Sequence, residues 1–487
     1  MKTKIIILML MIELISASLC ISSHPDDIYW RYFESDKQVW EFGPVNKIVI
    51  NNQNKMFASG WFDMRPFDSL YFNCIAELVD SAWMPLGSGL NAGIKGFFPI
   101  INDMLLCDSS LYVAGLFDSA GTVKANNIAK WDINSRTWTS LGKGTNGIIT
   151  SIAKVDNKIF IGGRFDTLFN NNNSINTKNI GYWDGTNWNS IGGVNNVVTD
   201  MFVSNQLVYI VGEFDTVGYQ PSKNIAIWKS NPPVQWLTVG NVGPIGEVSK
   251  VCRVGNNTYF AGIFDSVYTG STKFYSKNIV KWTGSNWSAL ADGLNGRVFQ
   301  MVTDGSNLYA VGSFTKVLND SNQCRGIAKW NGTEWSIFGS GADQTIRTIA
   351  LHGDSILVGG DFVFTGDSLA ENIGLWYKVT GQVPPPGING ESINSIENGI
   401  TDGIAINLYP NPTENEATIE FFIQEKGVAV IEIYDASGAI NEVVTNKEYE
   451  AGWHKVLVKC DNYSSGIYIC KLTFSNKTIS NRLILIK

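Results

Sequence analysis

The chain has 487 residues, of which 44% are hydrophobic, 12% aromatic and only 17% charged, with 48 glycines. That is ample for packed cores and for two to four ordinary domains, or one large repeat domain plus a smaller one, and it favours strands and tight turns over amphipathic helices. A net charge of −7 argues against a nucleic-acid binder, and no basic cluster marks a polybasic membrane patch.

The chain opens with "MKTKIIILMLMIELISASLC". Lys2 and Lys4 precede an apolar run, and the small residues Ser16 and Ser18 suit cleavage after Ser18, so residues 1–18 read as a secretory signal peptide. Glu13 interrupts the run, and Leu19 stands where a lipoprotein signal ending at Cys20 would need a small residue. No other stretch approaches the ~18 apolar residues of a bilayer span. Beyond Cys20 the chain holds six cysteines, none in a C-x-x-C metal pair. Cys460 and Cys470 flank the turn "DNYSSG" and are candidates for a disulfide across a hairpin, which an exported compartment permits; spacing alone leaves the connectivity open.

From residue 45 a strand ending in Gly-x-Phe recurs seven times, at Gly60, Gly115, Gly163, Gly212, Gly262, Gly312 and Gly360, with spacings of 55, 48, 49, 50, 50 and 48. Each copy continues into an alternating segment ending at Leu78, Trp131, Trp183, Trp228, Trp282, Trp330 or Trp376. A Trp-x-x-apolar strand then starts at Trp83, Trp138, Trp188, Trp236, Trp287 or Trp335. In "NIGYWDGTNWNSIGG" the two tryptophans lie on adjacent strands, and Asp184-Gly185 reads as the central pair of a tight turn, both at positive φ. With the strand before each Gly-x-Phe, every unit holds four strands in about 50 residues. Four-stranded sheets repeated radially make a β-propeller, here of seven blades. The seventh unit lacks its last strand, so an N-terminal strand is predicted to close the ring, and "KQVWEFG" (Lys37 to Gly43) is the candidate.

The Gly-Gly strand ends (Gly162-Gly163, Gly359-Gly360), the period and the later tryptophan resemble the kelch-like superfamily of propellers. The pattern is closer still to a subgroup of secreted proteins repeating "NIAxWDGxxWxxLGxG", which also occurs in fungal cell-surface cortical-marker proteins. The resemblance implies the fold over about residues 35 to 380. It says little of function, because one fold hosts many activities.

Residues 381–404 are a Pro/Gly/Asn/Ser-rich linker, which leaves the propeller at 19–380. Residues 405–487 alternate in strand fashion and read as a small Ig-like β-sandwich. This segment is similar to the C-terminal sorting domain of the type IX secretion system (Por secretion type A) in "YPNP" (Tyr409, Pro410, Asn411, Pro412), "IYDASG", "SSGIYICKL" with Gly466 and Tyr468, and the ending "NRLILIK". The resemblance implies transit through the periplasm of a Gram-negative bacterium. The secretion machinery would then engage residues 405–487, deliver the chain to the surface or medium, and remove the domain on arrival.

Chemistry is sparse. The aspartates after Gly-x-Phe (Asp63, Asp118, Asp166, Asp215, Asp265) read as caps of local backbone N–H groups and not as calcium ligands, which must converge on one point. Only His352 of the three histidines lies within a blade, which excludes copper-oxidase chemistry, and no nucleophile elbow, zinc motif or phosphate loop occurs. No cofactor, metal or catalytic residue is assigned. The longer loops between second and third strands share one face of the disc, and their exposed candidates are Arg65, Phe67, Tyr71, Tyr268, Lys273, Phe274 and Tyr275; aromatic rings stack on sugars or peptide side chains. Arg297 and Arg347 are weaker candidates for the channel wall. The leading expectation is a non-catalytic binding or scaffold protein for an extracellular glycan or protein. A polysaccharide-acting enzyme with carboxylates at the channel mouth is the alternative, and a purely structural surface protein is a third.

Overall fold

The computed structural model describes residues 25–485 apart from 33–42, 63–71, 80–81, 94–97, 232–234, 240–241, 318–323, 367, 371, 378–403, 410–412, 414, 436–439, 465 and 476. The expected signal peptide and linker lie outside the described residues. Strands dominate, one short 3-10 helix covers Pro25–Tyr29, and no described helix is long and apolar enough to cross a membrane. The chain divides into two compact units, residues 1–378 with 385–387, and residues 379–384 with 388–487.

In the first unit each repeat folds as one antiparallel sheet; six sheets have four strands, and the fifth gains the short strand Lys273–Tyr275. The innermost strands are Val45–Ile50, Ile100–Cys107, Ile148–Val155, Val198–Ser204, Gly243–Val254, Val298–Thr303 and Ile346–His352. They pack side by side in that order, and the last returns to the first, which makes a β-propeller. The Gly of Gly-x-Phe is needed for a close backbone approach: a Cβ on Gly115 would lie 1.9 Å from the Ile100 carbonyl oxygen of the adjacent strand.

The tryptophans pair across strands and also lock each sheet to its predecessor. Trp183 lies directly opposite Trp188, with ring centroids 5.3 Å apart, and Trp131–Trp138 and Trp330–Trp335 repeat the arrangement at 5.1 and 5.3 Å. The second indole N–H then donates to the carbonyl at the end of the preceding sheet: Trp138 to Leu86 at 2.9 Å, Trp188 to Leu141 at 2.7 Å, Trp236 to Ile191 at 2.9 Å and Trp335 to Leu290 at 3.2 Å. Leu86, Leu141, Ile191 and Leu290, which end Trp-x-x-apolar strands, thus each receive the tryptophan of the next repeat.

An N-terminal strand completes the seventh sheet, but it is Trp30–Tyr32, not Lys37 to Gly43. Trp30 faces Trp376 at 5.2 Å and donates its indole N–H to Phe338 at 3.0 Å, which repeats the interlock of the other sheets. Gly43 instead packs against the Trp61 backbone in the first sheet, so it cannot end a strand of the seventh. Residues 37–42 lie outside the described residues. Ahead of Trp30, the buried Asp27 accepts the Ser340 N–H and O–H, both at 2.6 Å, and fixes the strand's entry.

The Asp-Gly turn also differs from expectation. Of the pair only Gly185 has positive φ, at 103°, and it is the first central residue of the turn; Asp184 follows the strand's last residue, Trp183, and opens the turn. The Asp184 carboxylate accepts the N–H groups of Thr186 and Asn187 at 2.8 and 2.7 Å. Gly284 and Gly332 repeat the geometry at φ 99° and 105°.

The Asn of "NIA" is a second inter-sheet fastener. Asn127, Asn179, Asn224, Asn278 and Asn372 all sit in the left-handed region that Asn tolerates better than other residues with a Cβ. Four of them donate their carboxamide N–H to a carbonyl of the segment that enters the next sheet, as Asn278 does to Leu294 at 3.0 Å and Gly296 at 3.2 Å. Gly326 takes this place in the sixth sheet with φ 87°. Asn278→Ala is therefore expected to cost about 2–3 kcal/mol in urea unfolding, from left-handed strain plus lost hydrogen bonds, and Asn278→Gly about 1 kcal/mol less than that.

The second unit holds a three-stranded sheet, Ile404–Tyr409, Glu416–Ile423 and Gly452–Lys459, and a four-stranded sheet of Ile440–Tyr449, Gly427–Tyr434, Gly466–Phe474 and Lys477–Leu485. The alternation of Ala417, Ile419, Phe421 and Ile423 with Ala429, Ile431 and Ile433 fills one core between them. The strands Gly452–Lys459 and Gly466–Phe474 belong to different sheets, so Cys460 and Cys470 do not face each other across a hairpin. Both are buried in this core, and burial pushes the Cys470 thiol up to about 12.

Candidate functional site

The segment joining the second and third strands of a sheet forms a small hairpin. Its first arm pairs or bridges with the segment that enters that sheet's innermost strand, as Gly144–Thr145 does with Thr167–Phe169. Polar residues hold this tier in place. The Asn195 carboxamide oxygen accepts the N–H groups of Asp215 and Thr216 at 3.0 and 3.1 Å, and its N–H donates to the Asp215 carboxylate at 2.6 Å. Asn146, Asn295 and Asp343 cap the same two amides in their own sheets. This corrects the aspartate expectation: capping falls to the Asn or Asp of the entering segment. Asp118, Asp166, Asp215 and Asp265 accept side-chain donors instead, Asp118 and Asp265 from the serine that follows each. Asp63 lies outside the described residues. Among the described residues no cluster of His, Cys, Asp or Glu is arranged to hold a metal ion.

The predicted site residues separate into three sets. Arg65, Phe67 and Tyr71 lie outside the described residues. Phe274 pairs with Val267 and packs into the core between the fourth and fifth sheets, so it pins the loop. Tyr268, Lys273 and Tyr275 come together: Tyr268 lies opposite Lys273 and Ser266 opposite Tyr275, which places these four residues on one side of the hairpin. Tyr268 and Tyr275 are 39% and 53% exposed, and Lys273 is exposed. On its other side Tyr268 lies opposite Gly243, which adds no side chain. The Tyr268 hydroxyl donates to the Gly270 carbonyl, and Thr269 and Thr272 hydrogen-bond across the loop tip at 2.9 Å. The result is a fixed two-ring aromatic face edged by hydroxyls and one ammonium.

Tyr219, on the equivalent hairpin of the fourth sheet, was not among the sequence candidates. It is 95% exposed and holds φ 68°, which a bulky side chain adopts at a cost of about 1–2 kcal/mol. The signal was available in "TVGYQP": a tight turn whose second central residue is an aromatic where Gly, Asn or Asp is usual.

The inner wall holds a polar belt that the sequence reading did not find. A β-bulge interrupts every innermost strand, and the residue after it is Lys47, Asp103, Ser151, Asp200, Lys250, Gln300 or Thr348. Where this side chain can accept, it takes an N–H from the next sheet: Asp103 from Ile152 and Ser151 from Met201 at 3.0 Å each, Asp200 from Val251 at 3.0 Å, Gln300 from Ile349 at 3.1 Å, and Thr348 from Ile48 at 3.0 Å. Lysine has no lone pair to offer when charged. Lys47 instead pairs with Asp103 at 2.8 Å. Burial alone would lower the Lys47 ammonium, and the Asp103 carboxylate outweighs it, so the pKa rises. Burial pushes the Asp200 carboxyl above its ordinary range, against Lys250 and the Val251 amide, which favour the charged form. The belt residue stands twelve positions before the Gly of Gly-x-Phe in six repeats and thirteen before it in the first.

Arg297 and Arg347 are held at the edge of the wall by carboxylates, Arg297 by Glu247 and Arg347 by Asp361, each at 2.7 Å. A cavity of about 420 Å³ lies between the sixth and seventh sheets, lined in part by Asn295, Thr315, Lys316 and Asp343. Asn295 and Asp343 already spend their side-chain oxygens on the caps above.

Of the predicted sorting residues, Tyr409 ends its strand and Pro410, Asn411 and Pro412 lie outside the described residues. Gly466 opens the strand that carries the buried Tyr468. The Tyr468 hydroxyl donates to the Ser464 carbonyl at 3.1 Å, and its ring meets Tyr463 edge-on at 5.0 Å.

Residues 407–487 match the family model of the secretion system C-terminal sorting domain. No curated protein matches the chain. Among solved structures the chain is similar to the β-propeller domain of the trilobed protease from Pyrococcus furiosus, at 11% identity and a TM-score of 0.36, over 72% of this chain and 95% of that one. It is similar to the Neurospora crassa Pan2 WD40 domain at 7% identity and 0.40, over 70% and 91%. It is also similar to PorZ, an essential bacterial surface component of the type IX secretion system of Porphyromonas gingivalis, at 13% identity and 0.33, over 92% and 66%. The sorting-domain match indicates export through the type IX system to the cell surface or extracellular space.

Proposed function

We propose that the chain is a kelch-like, seven-bladed binding or scaffold propeller that meets an extracellular glycan through its loop-bearing face. The observation that carries this reading is the grouping of Ser266, Tyr268, Lys273 and Tyr275 on one exposed side of a single hairpin. Flat rings bury the apolar face of a sugar, while the neighbouring hydroxyls and ammonium satisfy its oxygens. The type IX machinery engages the second unit and delivers the propeller to where such ligands are found.

The enzyme alternative has one geometric support. Asp103 and Asp200 each place a carboxylate oxygen 3.5 Å from the Ser151 hydroxyl. Each also accepts a backbone N–H from the next sheet, which ties both to the wall.

The test incubates the full chain with insoluble polysaccharides and records retained protein and released sugar. Retention without release is expected. Tyr268→Ala and Tyr275→Ala should each weaken it about tenfold at an unchanged melting temperature, since each removes about 1–2 kcal/mol of stacking from an exposed site. Sugar release that Asp200→Asn abolishes would replace this reading with the enzyme; retention that neither tyrosine alters would move the ligand elsewhere.

A further inference from the structure

The Asn before the third strand works as a bolt with two ends. Its oxygen accepts the N–H of the Phe in Gly-x-Phe, as Asn127 does from Phe117 and Asn179 from Phe165, both at 3.2 Å. Its N–H groups donate to the segment entering the next sheet, as Asn179 does to Val194 at 3.1 Å and Asn278 to Leu294 at 3.0 Å.

The sixth sheet keeps the frame of this bolt and omits the bolt. Gly326 donates its backbone N–H to the Phe314 carbonyl at 2.7 Å, as Asn179 does to Phe165 at 2.8 Å. Ala342 donates its own to the Arg325 carbonyl at 2.9 Å, as Val194 does to Lys178, also at 2.9 Å. The Phe314 N–H and the Ala342 carbonyl thus border the same place as their counterparts, but glycine sends no carboxamide between them. Both residues are buried, and among the described residues neither of these two groups has a hydrogen-bond partner. The cavity of about 420 Å³ lies at this place, with Gly312, Ser313, Phe314, Gly326 and Ala342 in its wall. That volume falls within the range of small-molecule sites, about 300–1,000 Å³. The mouth is wide because Ser313 stands where the third, fourth and fifth sheets carry Arg164, Glu213 and Ile263.

A buried donor and a buried acceptor on opposite walls of one slot are answered together by an amide. An acetamido group repeats the Asn side chain, with a methyl carbon in place of Cβ and one N–H left to donate. We propose that the Gly326 slot binds the acetamido group of an N-acetylated sugar, its oxygen on the Phe314 N–H and its N–H on the Ala342 carbonyl. Beyond the slot the cavity is edged by the exposed Ser313, Thr315, Lys316 and Gln344, whose polar groups suit a ring of hydroxyls better than the backbone of an asparagine peptide. The site is separate from the aromatic hairpin and does not depend on that reading.

The test is thermal unfolding of the full chain in N-acetylglucosamine, in N-acetylasparagine amide, and in glucose at equal concentration, which controls for the general stabilisation by sugars. N-acetylglucosamine should raise the wild-type midpoint about 1–2 °C above its value in glucose, at ten times the dissociation constant. Gly326→Asn restores the bolt. It should match or exceed the wild-type midpoint without sugar and lose the specific response. Ser313→Ile places the fifth sheet's residue at the mouth; it should unfold at the wild-type midpoint and lose most of the response, and it carries the test if Gly326→Asn does not fold. Tyr268→Ala should keep the response in full. No excess over glucose in the wild-type chain, an undiminished response in either cavity variant, or a larger response to N-acetylasparagine amide would each overturn the proposal.

Discussion

Replacing Trp30 by alanine is expected to destabilise the propeller unit by about 3–5 kcal/mol, the usual cost of deleting a buried tryptophan. Trp30 is 1% exposed, stands opposite Trp376, and sends its indole N–H to the Phe338 carbonyl of the preceding sheet. Its own carbonyl accepts the Ser368 hydroxyl at 3.1 Å. The closing strand has three residues, so little else holds it to the strand Ile373–Tyr377. Equilibrium unfolding in urea, followed by tryptophan fluorescence, measures the loss. Trp30→Phe keeps most of the apolar surface but leaves the Phe338 carbonyl unanswered, and should cost about 1–3 kcal/mol. A Trp30→Ala chain within 1 kcal/mol of wild type would mean that residues 30–32 do not close the ring.

The second large effect is expected at Arg136→Ala. Glu77 has a side chain with 0% exposure in the first sheet, and Arg136, from the second, reaches its Oε2 at 2.8 Å; Lys55 stands further off, at 3.7 Å from Oε1. The guanidinium also lies over the Trp131 ring at 5.7 Å. Removing it strands a carboxylate in the interior, which costs about 3–5 kcal/mol, whereas replacing both members of such a pair by apolar residues is often neutral. The same unfolding measurement on Arg136→Ala and on Glu77→Leu/Arg136→Met separates the two cases. Recovery of most of the loss in the double variant is the expected result. Equal losses would show that packing against Trp131, and not the stranded charge, carries the effect.

The repeat was legible because the residues that interlock one sheet with the next are large and chemically distinct. Tryptophan, Gly-x-Phe and the Asn before the third strand recur near a fixed period, and each has a geometric reason to do so. The closing strand was not legible, because it is short and its one recurring residue, Trp30, stands outside the Trp-x-x-apolar-Gly pattern of its counterparts. Lys37 to Gly43 matched that pattern better as a string, yet Gly43 is needed at the entrance to the first sheet. The belt escaped for a different reason. A bulge breaks the two-residue alternation, so two neighbouring positions leave the core together, and residues as unlike as lysine, aspartate, serine and threonine occupy the second of them. Of the exposed side of the fifth sheet's hairpin, Tyr268, Lys273 and Tyr275 were expected from loop length and residue type, and the structure brings them together there. Phe274 was misplaced because neighbouring positions on a strand point in opposite directions.

The strand Trp30–Tyr32 also decides the order in which the molecule can become complete. Its partner, Ile373–Tyr377, lies more than 340 residues further along the chain. As the polypeptide emerges from the ribosome or a membrane pore, six sheets can pair their own strands by short connections. The seventh must wait for the beginning of the chain to return, and until then one row of backbone N–H and C=O groups stays open. Contacts of such sequence separation form late and slowly. The ring is therefore expected to mature in two kinetic stages, a fast one within sheets and a slow one at closure. In the interval the open row is a ready place for a chaperone, or for the first strand of another copy.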